Sequence, residues 1–188
     1  MVKVILMKDV KKNEKEIINA VIEGKIFIYP TDTIYGLGCN ALDENAVNRL
    51  REVKQRDDKP FSVIAPSVEW INKNFTFKHK NQIKKLPGPF SFIVKMKKDI
   101  VAKNVSKDTL AVRIPEHKFT KVIQKAKVPF ITTSVNISGK KHAKSIKEIP
   151  NEILDNVDYI IDDGVLENNP SVIIDLTEKI PKIIKRNI

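Results

Sequence analysis

Short apolar runs alternate along this chain with stretches in which apolar residues recur every three or four positions. Runs of the first kind are typical of buried strands, and the second spacing is typical of helices that bury one face. The apolar runs predict strands over residues 2–6, 26–29, 61–65, 90–96, 109–114, 129–133, 159–161, 172–176 and 183–184. The helical spacing predicts helices over residues 13–23, 43–53 and 119–127, and a short helix that starts at Ser67.

Capping and turn residues separate these elements. Gly24 suits the C-terminal cap of the first helix, and Asp43 suits the N-terminal cap of the second. A Pro-Gly-Pro turn at residues 87–89 precedes a strand. Because the connections between strands vary in length, we expect an α/β fold with a twisted mixed parallel and antiparallel sheet and flanking helices. The chain has no repeats or linkers, so we expect residues 1–188 to form a single domain.

Composition narrows the class of protein. Of 188 residues, 41% are hydrophobic and 30% are charged, and the net charge of +11 favours an anionic ligand without naming one. Such a lysine content also fits a merely solvated surface. No apolar run approaches the roughly 18 residues of a membrane span. The single cysteine, Cys39, cannot form an internal disulfide, which predicts a cytoplasmic protein. We expect Cys39 to be a small residue beside a glycine turn, since no Cys-His signature surrounds it.

The strand at residues 26–29 opens into an unusually polar segment. Pro30 cannot donate to a β-ladder and marks the end of that strand. The segment that follows contains Thr31, Asp32, Thr33, Tyr35, Gly36 and Gly38. Glycines permit the close approach of a ligand that a Cβ would block. So many hydroxyls at the mouth of a strand predict a site for a polar small molecule.

Four other segments combine polar residues with strand ends or turns. They are Lys54, Arg56 and Lys59 between a helix and a strand, Arg113 inside an apolar strand, the hydroxyl and amide run at residues 132–139, and Asn169-Pro170-Ser171 before another strand. Each also has an ordinary interpretation. A cationic cluster often ends a helix in solvent, a strand arginine is often exposed, and a Ser/Thr/Asn/Gly run is often a plain loop.

Taken together and in this order, these segments resemble the YrdC-like family of threonylcarbamoyl-AMP synthases. The motifs that carry the resemblance are Thr-x-Tyr-Gly-Leu-Gly at residues 33–38, Lys-x-Arg at Lys54 and Arg56, and Ser-x-Asn at Ser134 and Asn136. The resemblance spans about residues 13–186. It implies a twisted mixed sheet that curls around a large basic cavity, without the extra C-terminal domain of some members.

The chain departs from the family pattern in four places. Val135 replaces a small residue, Ser91 stands where threonine is common, and Asn169 replaces a frequent glycine. The final Arg-x-Gly signature has become Lys-Arg-Asn at residues 185–187, which leaves open which C-terminal cation meets the ligand.

The resemblance implies a nucleotidyltransferase that condenses L-threonine, bicarbonate and ATP into threonylcarbamoyl-AMP and pyrophosphate. Other proteins then pass the threonylcarbamoyl group to an adenosine of tRNA. Mg²⁺ would arrive with ATP, and the implied site has no protein metal ligands and no further cofactor. Such a transfer needs positioning and charge neutralisation more than a protein nucleophile.

The resemblance also implies roles for individual residues. Lys54 and Arg56 would be catalytic and, with Lys59, would contact the phosphates. Threonine would be held by Thr33, Thr132 and Ser171, with Arg113 clamping its carboxylate. Further nucleotide contacts would come from Thr109, Ser134, Asn136, His142, Lys185 and Arg186.

Two alternatives remain at this point. One is a non-catalytic protein that binds double-stranded RNA or tRNA in the basic cavity. The other is a related adenylate-forming enzyme that uses carbamoyl phosphate. Enzymes of that kind are larger and contain cysteine-rich zinc segments, whereas this chain has one cysteine. Neither alternative nor the main prediction involves a membrane.

Overall fold

The computed structural model describes residues 2–137 and 140–185. In these residues the strands are β1 Lys3–Leu6, β2 Phe27–Tyr29, β3 Gly36–Gly38, β4 Ser62–Ile64, β5 Phe75–Thr76, β6 Phe90–Met96, β7 Thr109–Arg113, β8 Phe130–Ser134, β9 Tyr159–Asp162, β10 Val172–Asp175 and β11 Lys182–Ile184. The helices are α1 Glu14–Ile22, α2 Glu44–Lys54, α3 Val68–Asn74, α4 Lys118–Lys125 and α5 Asn151–Leu154. None of the helices in this part of the chain is long and apolar enough to cross a membrane.

All eleven of these strands join one mixed sheet. Its order is β1-β9-β2-β3-β8-β4-β7-β6-β10-β11, and β5 pairs with β6 outside that path. Among these strands the parallel pairs are β1 with β9, β2 with β9, β4 with β7, and β6 with β10. The remaining pairs are antiparallel. The predicted mixed sheet is therefore confirmed.

Alternation along the strands divides the core between the two faces of the sheet. Phe27 and Tyr29 of β2 belong to a hydrophobic cluster that also contains buried residues of α1 and α4. Ile28, between them, points to the other cluster, which takes the buried faces of α2, α3 and α5. Both faces of β2 are thus covered, as its unbroken apolar sequence predicts.

The predicted helix caps are present. The Asp43 carboxylate accepts a hydrogen bond from the Ala46 amide at 3.0 Å, and Ser67 does the same for Trp70 at 3.1 Å. Gly24 follows α1 with a φ of 73°, a conformation that favours glycine. Two strands, β3 and β5, and the short α5 were not predicted.

Strand β3 escapes prediction because its two glycines suggest a loop. A Cβ on Gly38 would lie 1.8 Å from the Ile131 carbonyl oxygen, and one on Gly36 would lie 2.7 Å from the Tyr29 ring. The sequence suggested that these glycines allow a ligand to approach. In the structure, the groups that lie close to them belong to the protein itself: a carbonyl at Gly38 and a tyrosine ring at Gly36. The interpretation of Gly38 in particular changes from a site residue to a packing residue.

Candidate active site

One face of the central strands lines a cavity of about 390 Å³. Thr132 of β8, Ser62 of β4, Ala111 of β7 and Ile93 of β6 are neighbours across the sheet and all contribute to its floor. The residues that alternate with them, such as Val112, belong to the apolar core on the opposite face. Because most side chains of the floor are small or hydroxylated, the sheet leaves a space there that a polar ligand can occupy.

The segment after β2 forms one wall through a relay of hydroxyls. Thr31 Oγ1 donates to the Ile34 carbonyl at 2.7 Å and accepts from the Thr33 amide at 3.1 Å. The two threonine hydroxyls are 2.9 Å apart. Since the Thr31 proton is already used, Thr33 donates to Thr31 and keeps its lone pairs for other donors. The relay fixes the orientation of the Thr33 hydroxyl at the cavity.

Arg113, at the end of β7, is a buried cation with a buried counter-ion. Its side chain is 7% exposed and that of Asp32 is 10% exposed, and Nη2 donates to Asp32 Oδ1 at 2.5 Å. Nη1 also donates to Thr33 Oγ1 at 3.3 Å. Asp32 Oδ2 in turn accepts from the Glu116 amide at 3.0 Å. Burial lowers the pKa of the Arg113 guanidinium, and Asp32 opposes that effect, so the charge is held in place.

One donor of Arg113 remains unused. Its Nε is buried and has no hydrogen-bond partner within the described protein. An unsatisfied buried N–H is costly, on the order of 1–3 kcal/mol, more when the group is charged. A planar guanidinium offers donors in a geometry that matches a carboxylate. The arrangement therefore favours an anionic ligand at this end of the cavity.

Lys54, the last residue of α2, is buried at 2% exposure and is not among the cavity-lining residues. Its Nζ donates to the Ser134 carbonyl at 2.7 Å, the Asn136 carbonyl at 3.0 Å and Asn136 Oδ1 at 2.8 Å. An ammonium group has three donors, so all of them are engaged. The solvated-cap interpretation of Lys54 is wrong, because the side chain runs inward. The predicted phosphate contact stays a prediction, and it would have to replace one of these bonds.

The acceptors around Lys54 are all neutral. Burial lowers the pKa of Lys54 to about 7, and the nearby Arg56 adds to that effect. The three hydrogen bonds favour the ammonium form and oppose the shift. Ser134 Oγ also donates to Asn136 Oδ1 at 2.6 Å. Lys54 and Asn136 together hold the turn that brings Ser134 to the cavity, and the nucleotide contact predicted for Asn136 stays a prediction.

Arg56 reaches the cavity from the loop between α2 and β4. Its Nε donates to the Lys59 carbonyl at 3.2 Å and its Nη2 to the Pro60 carbonyl at 2.7 Å. Burial and then the neighbouring Arg51 lower the pKa of its guanidinium. Lys59 contributes its backbone carbonyl to this turn, while its side chain is exposed and is not among those that line the cavity. The cationic character of this end therefore comes from Arg56.

The connection from β9 to β10 closes the remaining side. The Tyr35 hydroxyl donates to the Gly164 carbonyl at 2.8 Å and accepts from the Asp163 amide at 2.9 Å. Asn168 Nδ2 donates to the Asp32 carbonyl at 3.0 Å. The connection then reaches Ser171, whose hydroxyl is 2.9 Å from the hydroxyl of Ser91, and both residues line the cavity. The connection is thus tied to the same segment that holds Arg113.

Most of the predicted site residues meet in this cavity. Its lining contains Thr33, Arg56, Thr109, Arg113, Thr132, Ser134 and Ser171. The predicted residues outside its lining are Lys54, Lys59, Asn136, His142 and Lys185. Arg186 lies outside the described residues, as do Ser138 and Gly139 of the hydroxyl run. The sequence interpretation of Arg113 as an exposed strand residue is excluded by its burial.

The sequence analysis did not identify every residue that contributes to the site. Asp32 and Tyr35 were noted only as part of a motif, although Asp32 supplies the counter-ion of Arg113. Ser62 and Ser106 line the cavity and carry no sequence signal, since single serines near strands are common. Cys39 is buried, and burial raises the pKa of its thiol, which fits a packing role. Among the described residues, no group of three or more His, Cys, Asp and Glu side chains could hold a metal ion.

Sequence comparisons give a consistent result. A family model named Sua5_yciO_yrdC, with the description "Telomere recombination", matches residues 19–187. The chain is 38% identical to the "Putative threonylcarbamoyl-AMP synthase" of Methanocaldococcus jannaschii, over 88% of this chain and 79% of that protein. It is 36% identical to the threonylcarbamoyl-AMP synthase of Pyrococcus abyssi, over 87% of this chain and 50% of that protein.

Solved structures extend the comparison. The chain superposes on P. abyssi Sua5 complexed with L-threonine with a TM-score of 0.87 and 30% identity, covering 98% of this chain and 57% of that one. It superposes on Escherichia coli YciO with a TM-score of 0.86 and 23% identity, covering 98% and 95%. The chain thus spans about half of the P. abyssi protein, and the likeness to YciO concerns the fold alone.

Proposed function

Since the chain belongs to the Sua5/YciO/YrdC family, as its sequence predicts, we propose that it is an L-threonylcarbamoyladenylate synthase. It would condense L-threonine, bicarbonate and ATP to threonylcarbamoyl-AMP and pyrophosphate. Several curated relatives carry the name threonylcarbamoyl-AMP synthase. The observation that carries the proposal is the buried Arg113–Asp32 pair in a cavity that also contains Arg56. The Arg113 guanidinium donates to Thr33 Oγ1 as well and keeps its Nε without a partner among the described residues.

Threonine would bind at the Arg113 end. The guanidinium of Arg113, which lines the cavity, would donate to the substrate carboxylate, and its Nε–H is the donor that lacks a partner among the described residues. Thr33, Thr132 and the Ser91–Ser171 pair would surround the substrate with hydroxyls. That P. abyssi Sua5 binds L-threonine supports this placement.

ATP would bind at the opposite end. Arg56 would meet the phosphates, and Thr109 and Ser134 would contact the nucleotide. Lys54 would act by holding the turn at residues 134–136, with a direct phosphate contact requiring that it release one acceptor. Mg²⁺ would arrive with ATP as part of the substrate, as is usual for nucleotides. Contacts from Lys59, Asn136, His142, Lys185 and Arg186 remain predictions.

The chemistry needs no protein nucleophile. The threonine amine and bicarbonate give a carbamate and release water, and a carbamate oxygen then attacks the α-phosphorus of ATP while pyrophosphate leaves. Fixing the carboxylate at Arg113 and the phosphates at Arg56 places these two atoms in the same cavity, which removes much of the entropic barrier. Arg56, at the second end, would stabilise the charge that develops on the phosphates.

The chemistry of the product indicates which molecules act after this reaction. A labile mixed anhydride must be consumed by an acceptor, and we place a tRNA adenosine and its transfer proteins in that role, in the cytoplasm. The relatives' names favour this enzyme over a non-catalytic RNA-binding protein. The cavity agrees, because shape recognition of RNA needs surface cations rather than a buried guanidinium with a free donor.

The direct test is pyrophosphate release by the purified protein with Mg²⁺, ATP, bicarbonate and L-threonine. We expect release that requires both threonine and bicarbonate. Arg56→Gln should lower turnover at least about tenfold, since it removes a phosphate contact. The control Lys121→Gln, an exposed lysine of α4 outside the cavity lining, should change it by less than about threefold. Pyrophosphate release that is indifferent to threonine would overturn the proposal.

A further inference from the structure

Arg51 lies on α2 one turn before Lys54 and outside the cavity lining, yet its guanidinium joins the two loops that form the ATP end. Nε and Nη2 donate to the Asn104 carbonyl at 3.2 and 2.6 Å. Nη1 donates to the Lys59 carbonyl at 3.3 Å and also to the carbonyl of Asp57. One side chain thus connects the loop before β4 with the loop before β7.

The ring of Phe61 packs against the guanidinium groups of both Arg51 and Arg56. The guanidinium carbon of Arg51 is 4.6 Å from the ring centroid, and that of Arg56 is 4.9 Å from it. Phe61 is 1% exposed, and its amide donates to the Val105 carbonyl at 3.1 Å. Contacts of a guanidinium with an aromatic ring are attractive and restrict its plane. The position of Arg56 therefore depends on Phe61, which Arg51 packs against as well.

The second loop is fastened to α2 at another point. Asn104 Nδ2 donates to the Glu44 carbonyl at 2.9 Å and to Asn48 Oδ1 at 2.8 Å. The loop then supplies Ser106 and Thr109 to the cavity. Both loops of this end are therefore hydrogen-bonded to helix α2.

We propose that Arg51 is a positioning residue for the nucleotide, which it never touches: its fork holds the two loops so that Arg56 and Thr109 meet the same ligand. The proposal rests on the proposed function only in taking ATP as that ligand. Nothing in the sequence indicates this role, because an arginine on the polar face of a helix usually lies in solvent.

Hydrogen bonding rather than charge carries the effect of Arg51. Its positive charge lies close to that of Arg56 and opposes it, so that it adds to burial, the larger cause, in lowering the pKa of the Arg56 guanidinium. Four backbone contacts, in contrast, are made by a planar fork that lysine cannot reproduce. A lysine at this position therefore keeps the repulsion and loses the connection between the loops.

The experiment measures ATP affinity by calorimetry for Arg51→Leu, Arg51→Lys and a control, Arg49→Leu, on the same helix. We expect at least about tenfold weaker ATP binding for Arg51→Leu, comparable to the loss of a charge-assisted hydrogen bond. Arg51→Lys should weaken it nearly as much. Arg49 is an exposed partner of Asp158, so Arg49→Leu should stay within about twofold. Threonine affinity should stay within about twofold in all three.

Three results would overturn the proposal. ATP affinity of Arg51→Leu equal to that of the wild type would show that the connection is idle. Wild-type affinity in Arg51→Lys beside a weakened Arg51→Leu would show that charge suffices. Equal losses of ATP and threonine affinity would show a general loss of structure. If Arg51→Leu does not fold, Arg51→Lys, which retains the stem and charge, decides alone.

Turnover separates this inference from the proposed function. Wild-type protein that binds ATP but makes no threonine-dependent adenylate would refute the synthase assignment, while the ratio of ATP affinities would still judge Arg51. Wild-type protein that does not bind ATP would refute both. Hydrogen exchange adds a structural readout: the Phe61 amide should exchange faster in Arg51→Leu than in Arg49→Leu, because its acceptor lies on the loop that Arg51 holds.

Discussion

Two buried cations, Arg113 in the lining of this cavity and Lys54 outside it, have different hydrogen-bond partners. Arg113 has a carboxylate, Asp32, within 2.5 Å and retains one donor without a partner in the described protein. Lys54 has three acceptors and all of them are neutral. Arg113 is therefore compensated in charge but incomplete in hydrogen bonds, whereas Lys54 is complete in hydrogen bonds but uncompensated in charge.

We interpret this difference as a difference in role: Arg113 is suited to recognise a ligand, and Lys54 is suited to support the turn that it binds. A guanidinium with a fixed counter-ion and a free N–H keeps its charge and still needs an acceptor, which an anionic ligand supplies. An ammonium whose donors are all bound to one turn shapes that turn, and its protonation is sensitive to pH. Residues of the same charge in one site can thus be distinguished by what remains unsatisfied around them.

The largest effect is expected when the compensated pair is broken. Arg113→Leu leaves the Asp32 carboxylate buried without its partner, so the free energy of unfolding should fall by about 3–5 kcal/mol. Urea denaturation followed by circular dichroism measures this. In the Arg113→Leu background, Asp32→Asn removes the stranded charge and should restore at least half of the loss. A single Arg113→Leu variant as stable as the wild type would mean that the pair is solvated.

The second effect concerns the free donor. Arg113→Lys keeps the charge beside Asp32 but loses the fork, so threonine affinity should fall by the equivalent of one charged hydrogen bond, ~1.5–3 kcal/mol. ATP affinity, measured in the same calorimeter, should change by less than about twofold. If ATP binding weakens and threonine binding does not, Arg113 belongs to the nucleotide end.

The third effect is a pH dependence that arises from Lys54. The pKa of Lys54 is about 7 in the folded protein and 10.5 as its ordinary value. Between these values the unfolded chain holds a proton that the folded chain lacks, so stability should rise with pH, by up to about 1.4 kcal/mol per pH unit. The destabilisation is complete below pH 7 and is relieved as the pH rises towards 10.5.

Lys54→Met provides the comparison for this prediction. It removes the titrating group, so the difference in unfolding free energy between wild type and variant should change across that pH window. Urea denaturation at several pH values tests it. A constant difference would show that the three hydrogen bonds keep Lys54 fully protonated in the folded state, as Arg113 is.

The smallest effect calibrates the others. Lys125 and Glu14 form an ion pair of 2.7 Å whose side chains are 53% and 31% exposed. Its length resembles that of the buried pair, but solvent screens it, so Lys125→Ala should cost less than about 1 kcal/mol. Thermal unfolding in low and high salt measures the difference. A loss as large as that of Arg113→Leu would show that burial does not determine the strength of these ion pairs.

Much of the fold could be predicted because it depends on local patterns. The strand β6 has the predicted bounds, and α2 begins after the predicted cap Asp43. Strand β3 could not be predicted, since its three residues, two of them glycines, are held between β2 and the strand β8, which is distant in sequence. Predictions from local sequence fail where the pairing partner, rather than the strand itself, determines the structure.

The site shows the same division. Motif residues such as Thr33, Arg56 and Arg113 were predicted from the family resemblance and do line the cavity. The direction of Lys54 could not be predicted, because a lysine at the end of a helix has the same sequence pattern whether it turns inward or outward. Arg51 gave no signal at all, since its partners are backbone carbonyls, which leave no trace in residue types.

Gly38 bears on how variants of this protein should be interpreted. Any side chain there would bring its Cβ to within 1.8 Å of the Ile131 carbonyl oxygen, in the middle of the sheet. In a saturation mutagenesis experiment the position should therefore tolerate nothing else, and by activity alone it would look like a catalytic residue. The yield of folded protein distinguishes the two cases, because an inactive variant of Gly38 is one that has failed to assemble the strands around it.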